Sequence, residues 1–139
     1  MVTPEKCFAK YGPPEKESSL VVWDVPSHLE IGVIPKKLYC NKDLIQPLTK
    51  AFCELIATGF IKELKTFDGC FNIRYMRGSK TQASLHSWAI AIDVNAAWNG
   101  LGKVPVLSAG FVKCFTDNGF DWGGNWKRKD GMHFQLKEI

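Results

Sequence analysis

The chain has no apolar run long enough to cross a bilayer. Its first twenty residues are broken by Glu5, Lys6, Lys10, Glu15, Lys16 and Glu17, so they contain no signal-peptide core. The expectation is a protein made in the cytoplasm without an export signal of its own, with no membrane partner. There is no internal repeat and no low-complexity segment. The five cysteines, Cys7, Cys40, Cys53, Cys70 and Cys114, show no CxxC spacing and are odd in number. That argues against a thiolate metal site or a disulfide framework, and most read as buried free thiols. Neither sign of charge dominates, since the net charge is only +4. Lys and Arg are scattered apart from Lys127-Arg-Lys129, a run too short and too poor in interleaved aromatics for a nucleic-acid surface. A solvated loop is the expectation there, and no nucleic-acid partner.

What is present is an ordinary globular composition, 45% hydrophobic and 23% charged, over 139 residues. This length suits one domain, residues 1–139, acting as a monomer, with residues 1–40 as an N-terminal extension packed on the core. Thr3 to Lys10 has room for one or two helical turns, stopped by Gly12-Pro13-Pro14. Leu20 to Val25 reads as a strand ended by Pro26, and Ile31 to Ile34 as a second short extended piece. Asn41 to Gly59 reads as the clearest helix. Asn41 or Asp43 caps it, Pro47 falls in its first turn, and Leu44, Leu48, Phe52, Leu55 and Ile56 share one face. A hairpin is expected next, Ile61–Phe67 and Cys70–Met76 about an Asp68-Gly69 turn. On its return strand Phe71, Ile73 and Tyr75 share one face and Arg74 lies on the other. Ile90–Val94 and Gly131–Leu136 read as strands, the latter with Met132, Phe134 and Leu136 toward the core. Residues 108–118 read as a helix capped by Ser108 and stopped by Gly119, and Trp122-Gly-Gly-Asn-Trp126 as an aromatic loop. The fold class is α+β: a small antiparallel sheet with helices near 43–58 and 108–118 on one face and a zinc site on the other.

The chemistry concentrates in Ser84-Leu-His-Ser-Trp-Ala-Ile-Ala-Ile-Asp93 and Asp130-Gly-Met-His133. These stretches hold two of the three histidines, each with a carboxylate nearby. Three protein ligands and an open position define a catalytic zinc site, and His86, Asp93 and His133 read as those ligands to one Zn2+. Asp93 ends an apolar strand, where a carboxylate needs a partner or a cation. His86 and Asp93 are an odd step apart, so one regular strand cannot point both to the same face; His86 must come from the preceding loop or turn. Asp130 is left free to handle protons. The third histidine, His28, reads as a surface loop residue.

Ser-x-His-(six residues)-Asp, followed much later by an acidic residue three before a His, resembles the zinc D-alanyl-D-alanine peptidase family. The Trp122-Gly-Gly-Asn-Trp126 and Met132-His-Phe-Gln135 stretches look like its phage endolysin branch. The resemblance implies a core shared with the hedgehog signalling domain and a zinc metallopeptidase that cuts peptidoglycan stem peptides. It implies Asp130 as catalytic acid and base, and Arg74, with Arg77 as the alternative, as the oxyanion residue. Ser84 and Trp126 would line the substrate cleft. The expected reaction is that of an L-alanyl-D-glutamate endopeptidase; a D-alanyl-D-alanine carboxypeptidase is the runner-up. The expected place of action is the bacterial cell wall, reached by holin release or on a virion. A non-catalytic zinc-stabilised wall-binding or virion module is the alternative of another class. Two positions depart from the family: Ala89 stands where many members have Gly, and Asp130 where wall carboxypeptidases usually have Glu.

Overall fold

Asn41 starts the longest helix by accepting the Asp43 amide on its side chain at 2.9 Å. A short 3₁₀ turn, Lys42–Leu44, leads into α2 (Ile45–Thr58), which ends at Gly59 in the left-handed region. Leu44, Leu48, Phe52 and Leu55 are fully buried along one face of this element, as their spacing requires. The computed structural model describes all of residues 1–139. Ahead of α2 lie helix α1 (Pro4–Tyr11) and two strands, β1 (Leu20–Asp24) and β2 (Lys37–Asn41), which form their own antiparallel sheet. The second extended piece therefore lies at 37–41, not at 31–34. Gly32 takes a positive φ and turns the expected segment away.

The larger sheet is antiparallel with order β3-β4-β6-β5, from Phe67–Gly69, Ala91–Val94, His133–Leu136 and Phe120–Trp122. Helix α3 (Ala109–Thr116) is capped by the Ser108 side chain, which accepts the Phe111 amide. Its Phe111 and Phe115 pack on Phe134 of β6, with ring centroids 6.5 and 4.4 Å away. Buried side chains from all parts of the chain join one core, including Val2, Cys7, Tyr11 and Trp23 from the N-terminal segment. No helix is long and apolar enough to cross a membrane.

The expected 61–76 hairpin does not form. Phe60–Glu63 is a 3₁₀ turn, and the Asn95 side chain takes up the backbone beyond it. Asn95 accepts from the Lys65 and Thr66 amides and donates to the Glu63 carbonyl. Asp68 serves no turn; its carboxylate accepts from Thr66 and from the Ala96 amide. Residues 70–76 pair instead, irregularly, with the 82–87 segment. The Asn72 amide donates to the His86 carbonyl, Ser84 to that of Arg74, and Met76 to that of Gln82. Ile73 and Tyr75 are exposed, so the apolar face expected there is absent. Phe120–Trp122, which leads into the expected aromatic loop, is an edge strand paired to β6.

Candidate metal centre

Strands β4 and β6 place Asp93 directly opposite His133 in the antiparallel register, so both side chains rise from one face as neighbours. His86 comes from the 3₁₀ turn Leu85–Trp88, as the odd spacing demands. Ser84 caps that turn by accepting the His86 amide at 3.3 Å. Ala89 closes it in the left-handed region, φ 53°, and sends the chain into β4. Asn41 holds the turn from outside: its side chain donates to the Trp88 carbonyl and its amide to that of Ala89.

One potential ligand atom from each of His86, Asp93 and His133 lies within 4.8 Å of the others. His86 Nε2 stands 3.2 Å from Asp93 Oδ2, and His133 Nδ1 3.4 Å from Asp93 Oδ1. Both rings are buried. Yet His86 Nε2 and Asp93 Oδ1 have no hydrogen-bond partner, and orphaned buried polar atoms cost free energy unless something satisfies them. A cation removes that cost, and two imidazoles with one carboxylate are a donor set that zinc accepts. The residues present therefore fit one zinc ion. Burial alone would raise the Asp93 pKa, but contacts with His133 and His86 outweigh it and hold the carboxyl well below the usual range. Burial would lower the His133 pKa; Asp93, followed by Gln135, pushes it above its ordinary value.

Asp130 stands in a cleft of about 220 Å³ together with Arg74, Arg77, Ser84, Trp126, Asp93 and His133. Its pKa is raised, first by burial and then by Asp93, against the opposing pull of His133, His86 and Arg74. Asp130 is set in place by its amide, which donates to the Gly123 carbonyl at 2.9 Å. A side chain on Gly123 would meet the Asp130 carbonyl oxygen at 2.5 Å, so only glycine allows this approach. Arg74 is clamped through its backbone. Ser87 Oγ accepts from its amide at 3.2 Å and donates to its carbonyl at 3.1 Å. Arg77 lies on the exposed rim, where its carbonyl accepts from Arg128. Trp126 lies over His133 with centroids 5.3 Å apart, whereas Trp122 stacks on Phe134 and donates to the Gly131 carbonyl.

Three details differ from expectation. Met132 lines the cleft and not the core, and Arg128 lines it too, so the basic run is more than a solvated loop. Sequence alone marks Asn41 only as a candidate helix cap and gives Ser87 no role, yet both support the site. Their partners are distant in sequence, and no local pattern marks such a bond. His28 is exposed, away from the cleft.

Residues 77–136 match the family model described as D-alanyl-D-alanine carboxypeptidase. No curated protein and no solved structure matches the chain. The matched segment holds all three ligand candidates and Asp130, and it supports the resemblance of this chain to the zinc D-alanyl-D-alanine peptidase family. The match supports a metallopeptidase that acts on peptidoglycan. Arg74 lies just outside the matched segment and Arg77 just inside it.

Proposed function

We propose that this chain is a zinc-dependent endopeptidase of the endolysin type, acting as a monomer at the bacterial cell wall on the L-alanyl-D-glutamate bond of stem peptides. The observation that carries the reading is the convergence of His86, Asp93 and His133, two of them with orphaned buried atoms, beside a cleft that Asp93 and His133 line together with Asp130 and Arg74. In this reading one face of the larger sheet carries the metal and the other carries the helices, and residues 1–40 belong to the same domain. Zinc, when bound, supplies Lewis acidity to a water and to the peptide carbonyl. Asp130 takes the proton of the attacking water on its carboxylate and delivers it to the leaving amine. Its raised pKa suits both halves of that exchange. Arg74 offers guanidinium N–H groups to the oxyanion that develops on the carbonyl oxygen. Its charge is felt by Asp130, which favours it over the rim residue Arg77. Ser84 and Trp126 flank the substrate.

The endopeptidase is preferred to a carboxypeptidase on the likeness of Trp122-Gly-Gly-Asn-Trp126 and Met132-His-Phe-Gln135 to the phage endolysin branch. A wall-binding module would need neither Asp130 nor Arg74 in the cleft. The test is mass spectrometry of fragments released from purified peptidoglycan by zinc-loaded protein, with and without a chelator. New chelator-sensitive D-glutamate amino termini are expected. Release of terminal D-alanine alone would move the assignment to a carboxypeptidase.

A further inference from the structure

Strand β6 carries two polar side chains toward the cleft, His133 and Gln135. Gln135 is only 3% exposed, and a buried amide is costly without a partner. Its Oε1 stands 3.0 Å from His133 Nε2. An amide oxygen only accepts, so this bond requires the imidazole proton on Nε2. In the neutral ring Nδ1, on the Asp93 side, then carries the lone pair. His86 is fixed in the opposite sense. Its Nδ1 lies 2.8 Å from the Cys70 carbonyl, also an obligate acceptor, and Nε2 faces Asp93. The two rings thus offer different nitrogens to one point. For His86 the acceptor is backbone, which any residue at 70 supplies. For His133 it is a side chain, and the sequence at 135 decides it. With the Gln135 amide turned end for end, its NH₂ would face Nε2 and drive the proton to Nδ1, aiming an N–H at the place a cation must occupy.

We infer that Gln135 is the positioning residue that makes His133 an Nδ1 ligand, by holding its proton on Nε2. The inference rests on the zinc reading proposed above. Such outer partners of ligating histidines typically change metal affinity about 10- to 100-fold.

The experiment compares wild type with Gln135→Met, of similar length but without the acceptor, and Gln135→Glu, which keeps one. Zinc affinity is measured by chelator competition, and the His133 ring nitrogens are read by ¹⁵N NMR in zinc-loaded and zinc-free protein. Wild type and Gln135→Glu are expected to show a protonated Nε2 and a zinc-bound Nδ1. Gln135→Met is expected to bind zinc about 10- to 100-fold more weakly and to lose that single ring state. In wild type the Nε2 proton should exchange slowly with water whether or not zinc is bound. Fast exchange there overturns the inference even if Gln135→Met does not fold. So does Gln135→Met binding zinc as tightly as wild type with the same ring protonation. A wild type that binds no zinc contradicts the proposed function instead, and leaves the Nε2 proton as the independent reading of Gln135.

Discussion

Ala89 occupies a backbone region that L-residues other than Asn and Asp seldom enter, with φ 53° and no exposed surface. The left-handed turn costs an alanine about 1 kcal/mol. Burial of its methyl returns a similar amount, about 0.8 kcal/mol. Ala89→Gly should therefore leave the urea midpoint of zinc-free protein nearly unchanged. Ala89→Val, with a branched Cβ in the same strained region, should lose about 1–3 kcal/mol. The glycine that the resembled family often carries at this position would thus have a backbone cause.

Asp130 gives a prediction with a definite sign. Its folded pKa is raised above the ordinary 3.8, mainly by burial. As pH rises, the unfolded chain ionises first, so the folded state loses stability through this interval. Below the ordinary value both states are protonated and the penalty vanishes. Zinc-free Asp130→Asn should be more stable than wild type at pH 7, and the gain should shrink toward zero as the pH falls below about 4. Urea midpoints across that range check it. The grouping of His86, Asp93 and His133 is legible in the sequence, because scarce histidines stand at fixed distances from carboxylates. Gln135 and Ser87 were not, since a hydrogen-bond role shows only when the partner is in place.

Among the elements, local signals located α2 and α3 well, because caps and an apolar face act within a few turns. They failed for residues 61–76, where Asp68-Gly69 looked like a hairpin turn. There the Asn95 side chain, far along the chain, captures the backbone, and the partner of residues 70–76 is the segment that bears His86. That misreading concerns position more than chemistry: Arg74 reaches the cleft through its clamp to Ser84 and Ser87, not through a regular strand. The aromatic loop also hides a constraint. Gly123→Ala should push against the Asp130 backbone at a cost of about 1–3 kcal/mol. We expect this variant to keep its zinc and to lose at least about tenfold in kcat, since displacement of a positioned group is expensive for catalysis. Metal analysis beside steady-state kinetics separates the two effects.

At the scale of the whole molecule, the N-terminal segment is tied to the rest of the chain by specific bonds. The Trp88 indole donates to the Gly12 carbonyl at 2.9 Å, and the Tyr11 hydroxyl to Asp43 at 2.7 Å. The same packing hides the thiols. Cys7, Cys40, Cys70 and Cys114 are buried and Cys53 is exposed. Burial, aided by Glu5, pushes Cys7 up to about 12, and burial pushes Cys40 up to about 11. Maleimide should label Cys53 alone in the native protein and all five thiols after denaturation. Rapid native labelling at Cys7 or Cys40 would mean that residues 1–40 do not stay docked.

The most direct measurement is the rate of new amino-terminus release from purified peptidoglycan by wild type and Asp130→Asn, with bound zinc quantified in both. One equivalent of zinc is expected in each protein, with the variant slower by about 10²- to 10⁴-fold, the usual worth of a positioned acid–base group. Equal rates would remove Asp130 from the chemistry. Zinc bound without any release by wild type would contradict the assignment of this cleft as a peptidoglycan peptidase site.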